Sequence, residues 1–235
     1  MSDESPTTGA RTQLRLALRR QPALARADFI VSDRNREAVA AVDSWPDWPG
    51  GRLALVGPEG SGKTHLARAW AARTGAFVAG DHGLDLARAP VGPILLEDVD
   101  RGVADDALFH LINRADAGGS LLLTARVAPR LWPAGLPDLR SRLNALFAVE
   151  IGAPDDEVLE ALLLRFFRDR HIRPDPDLLP YLLRRMERSA TAAQALVSRL
   201  DEAADASGRA ITRALAREIL GADDRPDGRS GDLFE

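Results

Sequence analysis

The feature that most constrains the fold is the segment from Gly57 to Thr64, which has the pattern G-x-x-x-x-G-K-[ST]. It lies between a short apolar run at 52–56 and an amphipathic segment at 64–73. In such a loop the glycines let backbone N–H groups surround phosphates, the lysine reaches the β- and γ-phosphates, and the last hydroxyl ligates Mg²⁺. The N-terminal end of the following helix carries positive charge toward the same phosphates. The pattern therefore predicts a strand, loop and helix that bind a nucleotide and Mg²⁺, with these nucleotide-binding residues: Gly57, Pro58, Glu59, Gly60, Ser61, Gly62, Lys63, Thr64 and His65.

Composition bounds the class of protein further. The chain of 235 residues can bury one sizeable core, or one core and a small second domain, and it contains no cysteine for disulfides, thiolate catalysis or zinc. Its formal charge of −4 argues against a broad basic face, so we expect DNA contact to be weak or indirect. No apolar run approaches the ~18 residues of a membrane span, and the first residues do not form a signal peptide. We expect a cytoplasmic protein with no membrane partner.

Apolar segments alternate with helical ones in the first two thirds of the chain. Short buried strands are predicted at 52–56, 76–78, 94–96, 120–124 and 146–151. This alternation indicates an α/β fold, with a five-stranded parallel sheet sandwiched by helices. After residue 152 the pattern is helical throughout, with helices predicted at 155–170, 176–186, 191–206 and 212–220. These four helices predict a small all-α lid domain.

The same patterns predict the domain boundaries. We expect an N-terminal tail at 1–25, an α/β nucleotide-binding base at 26–152, a helical lid at 153–222 and a disordered C-terminal tail at 223–235.

Polar residues follow two of the predicted strands. Glu97 and Asp98 end the strand at 94–96, which we expect beside the first strand, where they would hold Mg²⁺ and polarise the attacking water. The alternative is that both carboxylates only cap the strand in solvent. Thr124 ends the fourth strand, where its hydroxyl could touch the γ-phosphate or its water. The segment 135–143, Gly-Leu-Pro-Asp-Leu-Arg-Ser-Arg-Leu, then places Arg140 and Arg142 just before the fifth strand.

Taken together, this order of motifs resembles the AAA+ ATPases. The segment 135–143 resembles the arginine-finger segment of their DnaA initiator branch, and the chain from about 13 to 221 is similar to the Hda family of DnaA-homologous regulators. The resemblance implies that Arg142 is an arginine finger acting in trans on a neighbouring subunit, and that Arg140 is an interface residue. Such a guanidinium is worth ~10³ to 10⁵ in the rate of hydrolysis. The implied partner of Arg142 is ATP-bound DnaA.

A second resemblance lies near the N-terminus. The segment from Gln13 to Leu18 resembles the peptide by which Hda docks on the DNA polymerase III sliding clamp (beta subunit). In an extended peptide Leu14, Leu16 and Leu18 point to one side, while Gln13 offers hydrogen bonds. The alternative is an ordinary amphipathic start to the fold.

The chain departs from the AAA+ pattern in two places. Glu97 stands where many members have Asp, and Thr191 stands where the sensor-2 arginine usually lies. Arg188, three residues earlier and one turn away on the same predicted helix face, is the candidate replacement. Without it, intrinsic ATP hydrolysis should be weak or absent. Val31 and Asn35, in the segment that enters the base domain, are expected to border the adenine.

The resemblance implies a negative regulator of replication initiation that binds ADP or ATP with Mg²⁺ and stimulates ATP hydrolysis by DnaA. We expect no sequence-reading DNA domain, since the chain ends soon after the predicted lid. The alternatives are a self-acting AAA+ ATPase of the helicase-loader or remodelling type, a small-molecule P-loop kinase, and a nucleotide-stabilised binding module without catalytic contribution. The sequence leaves a monomer and a homodimer equally open.

Overall fold

The computed structural model describes residues 25–79 and 91–223, with the side chains of the last two excepted. The clamp-like peptide with Gln13, Leu14, Leu16 and Leu18 lies outside the described residues, as do the segment 80–90 and the tail from 224 onward.

Five parallel strands form one sheet, which confirms the predicted fold class. The strands are β1 (Arg52–Val56), β2 (Phe77–Ala79), β3 (Pro93–Leu96), β4 (Ser120–Ala125) and β5 (Ala148–Glu150). Their order across the sheet is β2-β3-β4-β1-β5. The prediction that the strand ending in Glu97 and Asp98, which is β3, lies beside β1 is therefore wrong, because β4 lies between them. Thr124 pairs in register with Leu55 and Leu123 with Leu96, so Thr124 stands level with the acidic end of β3.

Alternate residues of each strand face opposite sides of the sheet, and each side is covered by helices. Leu53 and Leu55 belong to a buried cluster with α1 (Arg36–Asp43) and α2 (Lys63–Thr74). Ala54 and Val56 belong to a second cluster with α3 (Asp105–Asp116) and α4 (Pro137–Asn144). A central strand that is buried on both faces needs apolar residues throughout, which is why these strands read as continuous apolar runs.

Four further helices pack around their own apolar cluster. They are α5 (Asp156–Asp169), α6 (Leu178–Leu183), α7 (Ala190–Ser207) and α8 (Arg213–Asp223). Leu163, Phe167, Leu182 and Leu200 are fully buried within this cluster. We call these helices the helical part of the chain.

The helical part differs from the sequence prediction at α6 and α7. The predicted helix at 176–186 is only Leu178–Leu183, and the next helix begins at Ala190. The reason is local: the Ser189 side chain accepts a hydrogen bond from the Ala192 N–H at 2.9 Å and so caps α7. The chain must leave α6 early enough for Ser189 to reach this capping position. Within the two described ranges, no helix is both long enough and apolar enough to cross a membrane.

Candidate functional site

The phosphate loop follows β1 and is held against the first turn of α7. At Gly60 the backbone φ is +71°, and a Cβ added there would lie 2.2 Å from the Ser189 Cβ. The Ala190 N–H also donates to the Gly60 carbonyl at 3.0 Å. Gly62 has φ +98° immediately before α2, a conformation that side chains rarely adopt. These two glycines thus allow the phosphate loop to turn sharply and to approach the helical part closely.

Lys63 is the central cation of this loop. Its side chain is buried, and Nζ donates to the carbonyls of Gly57 and Pro58 at 2.7 Å each. Burial lowers the pKa of the Lys63 ammonium from its usual value, while the carboxylates of Asp98 and Asp100 oppose that shift. The ammonium is therefore held between loop carbonyls and nearby acidic groups.

Asp98 turns the chain sharply after β3. Its backbone is left-handed, with φ +54°, and its N–H donates to the Thr124 Oγ1 at 3.1 Å. Thr124 is 1% exposed, so this hydroxyl has little water to bind. The bond ties the ends of β3 and β4 together and places both predicted site residues next to each other. The Thr124 hydroxyl keeps its own hydrogen to donate.

Asp100 and Arg126 are site residues that the sequence patterns did not indicate. Both influence the Lys63 ammonium electrostatically, and Arg126 Nε donates to Asp100 Oδ2 at 2.9 Å. The Asp100 side chain is 6% exposed, and its Oδ1 has no hydrogen-bond partner among the described residues. The sequence does show an acidic residue two positions after Asp98. Acidic residues are common in turns, however, so this position alone did not indicate a site residue.

Glu97 points toward α2. Its carboxylate pairs with Arg68 at 2.7 Å, and Arg68 is four residues after Thr64 on the same helix face. Glu97 Oε1 is buried with no hydrogen-bond partner in the part of the chain that the structure describes. A hard cation prefers such carboxylate and hydroxyl oxygens, so Glu97 and Thr64 fit a Mg²⁺ ion. No group of three or more His, Cys, Asp or Glu side chains in the described ranges forms a metal cage, which is the usual situation when phosphates and water complete the shell.

A cavity opens beside the phosphate loop. It is lined by residues of the entry segment 28–35, loop residues 60–62, the turn at 152–154 and residues of α5 and α7. Ser61 lines it, is 7% exposed, and has a hydroxyl without a hydrogen-bond partner within the described residues. Buried hydroxyls are normally bonded, so this hydroxyl is what a polar ligand would satisfy. Phe29 lines the apolar side and meets the ring of His65 edge to face at 5.4 Å.

The structure modifies the predicted adenine-side residues. Asn35 lines the cavity, but its side chain is engaged by the Ser32 N–H at 2.9 Å and the Ile30 carbonyl at 3.0 Å. Val31 is 43% exposed and does not line the cavity, whereas its neighbours Ile30 and Ser32 do. That Val31 and Asn35 border the adenine stays a prediction.

The sensor-2 region also differs. Because α7 begins at Ala190, Arg188 lies before the helix. It therefore does not share a helix face with Thr191, although the spacing had predicted that it would. Arg188 pairs with Asp156 of α5 at 2.7 Å, and Thr191 is exposed and does not line the cavity. The described contacts bring Ala190, rather than either predicted residue, to the phosphate loop.

Arg142 lies near the amino end of β1, the end away from the phosphate loop. Its Nη1 donates to Asp116 Oδ2 at 2.6 Å, and its guanidinium lies 5.1 Å from the centre of the Phe109 ring. Asp116 also pairs with Arg52, the first residue of β1, at 2.6 Å. The phosphate loop follows the other end of β1, about 15 Å away at ~3.3 Å per strand residue. Arg142 is thus separated from the loop of its own chain, and its side chain is 36% exposed.

Arg140, two residues earlier, is a structural residue. Its guanidinium donates to the backbone carbonyls of Arg130 at 3.0 Å and Trp132 at 2.7 Å. It therefore fixes the segment before α4 and is less free than Arg142 to meet a partner.

Comparison with known proteins gives similarity to DnaA in both sequence and fold. The chain is 26% identical to the chromosomal replication initiator protein DnaA of Thermomicrobium roseum over 223 residues, which cover 82% of this chain and 48% of that protein. The chain therefore spans about half the length of this curated relative. No protein-family profile matches the chain.

Two solved structures extend this result. Domain III of DnaA from Thermotoga maritima has a TM-score of 0.71 at 17% identity, and the match covers 87% of this chain and 98% of that domain. A DnaA structure bound to AMPPCP and single-stranded DNA has a TM-score of 0.62 at 20% identity, covering 80% of this chain and 68% of that one. The chain thus has the fold of a DnaA-like AAA+ domain.

Proposed function

We propose that this protein binds an adenine nucleotide with Mg²⁺ in the cavity beside the phosphate loop. Lys63 and the backbone N–H groups of the loop would hold the phosphates, while Thr64 and Glu97 would hold the ion. When bound, the ion and nucleotide supply a phosphoanhydride whose negative charge is partly neutralised. The unpartnered hydroxyl of Ser61 supports a polar ligand here, and the AMPPCP-bound DnaA of the same fold supports adenine.

We further propose that the protein is a regulator of the Hda type, which presents Arg142 to the ATP of a neighbouring DnaA molecule. The observation that carries this proposal is the separation of Arg142 from the phosphate loop of its own chain, together with its partial exposure. Arg142 shares Asp116 with Arg52, the first residue of β1, whereas the phosphate loop follows the last, so its guanidinium has no role at its own nucleotide site. The same group can act on a nucleotide that a second subunit brings to this edge.

ADP retention is part of the proposal. The first turn of α7 touches Gly60 through both a side chain and a backbone hydrogen bond. A nucleotide in the cavity would stabilise this contact between the base and the helical part, and ADP is sufficient for it. The proposed tether, the peptide with Gln13, Leu14, Leu16 and Leu18, would bring the protein to a DNA-loaded sliding clamp. Weak intrinsic turnover would follow from an Arg188 that remains paired with Asp156.

The decisive experiment is single-turnover hydrolysis of ATP bound to DnaA in the presence of DNA-loaded clamp. We expect Arg142→Ala to reduce the stimulated rate by ~10³-fold or more, since a trans arginine is worth at least that much. Arg142→Lys should recover little, because an ammonium lacks the planar fork of the guanidinium. The control is Arg130→Ala, an exposed arginine in the segment before α4. Full stimulation by Arg142→Ala would refute the finger assignment.

Two further measurements test the other parts. Nucleotide released from the purified protein should be ADP, and Lys63→Ala should abolish its retention. Clamp pull-down should fail with Gln13→Ala and Leu16→Ala, and undiminished capture would remove the tether from the proposal.

A second candidate is a self-acting AAA+ ATPase that loads or remodels a partner. The arrangement of Asp98, Asp100 and Thr124 around Lys63 favours it, because these groups are suited to polarising water at the protein's own nucleotide. Robust ATP turnover by the protein alone, lost in Asp98→Asn, would favour this candidate over the regulator.

A further inference from the structure

The helical part carries a groove that none of the functions above uses. The groove lies between α6 and α8, far along the chain from the phosphate loop. It is lined by Tyr181, Arg185, Arg213, Ala214, Arg217, Leu220 and Gly221.

Three arginines line this groove, and two of them lie over one aromatic ring. Tyr181 is 3% exposed and forms the floor, with the Arg185 guanidinium 4.2 Å and the Arg213 guanidinium 5.2 Å from its ring centre. Arg217 lies four residues after Arg213 on the same face of α8. The ring orients two guanidiniums while leaving their N–H edges available.

No acidic side chain lines this groove within the described residues. The nearest carboxylate along α8 is Glu218, which influences Arg217 electrostatically but is paired with Arg209 at 2.9 Å. Like charges four residues apart on a helix are destabilising. The chain has a net charge of −4 and yet places three arginines in this groove. An anionic ligand would remove the repulsion between them.

We propose that this groove binds the phosphodiester backbone of a nucleic acid. Guanidiniums donate two parallel hydrogen bonds to a phosphate, which makes arginine the preferred side chain for this group. Phosphates recur at every nucleotide, so Arg185, Arg213 and Arg217 can each meet one. Every nucleotide carries a phosphate whatever its base, whereas a peptide offers adjacent carboxylates only where its sequence contains an acidic run. Contacts to phosphates alone carry no sequence information, so we expect this binding to be independent of sequence.

The contact is weak and strongly dependent on salt. Three phosphate contacts predict a slope of log K against log salt of about −2.7 for duplex and about −2.1 for single strands. Between about 50 mM and about 200 mM salt, the affinity for duplex should fall about 40-fold. This site goes beyond the proposed function, since it needs neither DnaA nor the sliding clamp.

The test is fluorescence anisotropy of the full chain with labelled DNA of about 30 nucleotides, single-stranded and duplex, over this salt range. In Arg213→Ala/Arg217→Ala the salt-induced loss of duplex affinity should shrink to about 3.5-fold, because one phosphate contact remains. Arg213→Lys/Arg217→Lys keeps the charge and should retain a slope near that of the wild type. Arg168→Ala/Arg173→Ala, which removes two exposed arginines that do not line the groove, is the matched control and should leave the slope unchanged.

Two results would overturn the inference. One is an unchanged salt slope in an Arg213→Ala/Arg217→Ala variant whose circular dichroism spectrum matches that of the wild type. The other is an oligoglutamate of equal charge that displaces the DNA fully at equimolar concentration, which would assign the groove to an acidic peptide. Neither result bears on Arg142, so failure here leaves the proposed function standing.

Discussion

Gly60 is the residue at which the phosphate loop and the helical part approach most closely. Its φ is positive, and a Cβ attached to it would stand 2.2 Å from the Ser189 Cβ, which leaves no space for a side chain. A larger residue must therefore move either the loop or the first turn of α7. In both cases the geometry around a bound phosphate changes.

We expect Gly60→Ala to weaken ADP binding by roughly tenfold or more and to destabilise the fold. The left-handed conformation alone costs about 1 to 2 kcal/mol for a side chain, and overpacking adds about 1 to 3 kcal/mol. Titration with ADP and unfolding in urea measure the two effects separately.

Gly75→Ala is the matched control for this substitution. Gly75 ends α2 with φ +68°, and nothing lies within 4 Å of its added Cβ. Its substitution should cost only the conformational term of about 1 to 2 kcal/mol and leave ADP affinity unchanged. Equal losses in the two variants would show that the contact with Ser189 has no influence on the nucleotide site.

At the scale of secondary-structure elements, Asp155 joins the sheet to the helical part. Its Oδ1 accepts the Val158 N–H at 3.0 Å and so caps α5, which begins at the next residue. Partial burial raises the pKa of the Asp155 carboxyl, but hydrogen bonds from the Val158 N–H and the Ser32 hydroxyl, with the charges of Arg34 and Arg188, together lower it from its usual value. The ionised carboxylate is therefore the form that the folded state favours.

We expect Asp155→Ala to lower the free energy of unfolding by about 1 kcal/mol at neutral pH, the usual value of an N-cap. Asp155→Asn keeps an acceptor and should cost less. Because the folded pKa is lowered, the advantage of the wild type over Asp155→Asn is complete above the ordinary pKa of about 3.9. It disappears as the pH falls through the lower folded value. Urea unfolding at a series of pH values measures it, and an advantage that grows toward acid would contradict the assignment.

Local patterns were sufficient to predict the elements but not their neighbours. The apolar runs predicted all five strands, because each strand is buried on both faces. The order of the strands depends on which edges pair across the chain, so β4 between β1 and β3 could not be read from any one segment. The start of α7 was readable in principle, since Ser189 before an apolar-periodic run is a capping signal.

The candidate site shows the same division. The loop from Gly57 to Thr64 was predicted because its chemistry is contained in consecutive residues. Asp100 and Arg126 were missed because they meet only through the fold, 26 residues apart. The contact between Gly60 and Ser189 joins residues even farther apart, so no local pattern indicates it.

At the scale of the whole molecule, the sheet separates two kinds of site. The carboxyl ends of its strands carry the phosphate loop, Asp98 and Thr124, while the amino end of β1 carries Arg52 and the Asp116 that also holds Arg142. Under the proposed function, a chain built in this way would bind one nucleotide and present an arginine to another at the same time. Asp116 would then compete with the second nucleotide for Arg142.

This competition gives the last prediction, which depends on the proposed function. Replacing Asp116 by Asn keeps the size of the side chain and removes its charge. Arg142 should then leave its partner more readily, and a triphosphate should approach with less repulsion. Because the pair with Arg142 is about one third exposed, its loss alone should cost less than about 1 kcal/mol of stability. Asp116→Asn also weakens the pair with Arg52, whose side chain is 14% exposed, so the total loss of stability should be larger. We expect the concentration of protein needed for half-maximal DnaA-ATP hydrolysis to fall about two- to fivefold, which corresponds to the upper part of the energy range for the pair with Arg142.

The double variant Asp116→Asn/Arg142→Ala separates this effect from a general change at the interface. If Asp116 acts only through Arg142, the double variant should stimulate no better than Arg142→Ala alone. A gain that persists without Arg142 would instead assign the effect to the charge of the surface. A weaker stimulation by Asp116→Asn alone would show the opposite role, in which the carboxylate holds the guanidinium on the Phe109 ring in the orientation that the neighbouring nucleotide requires.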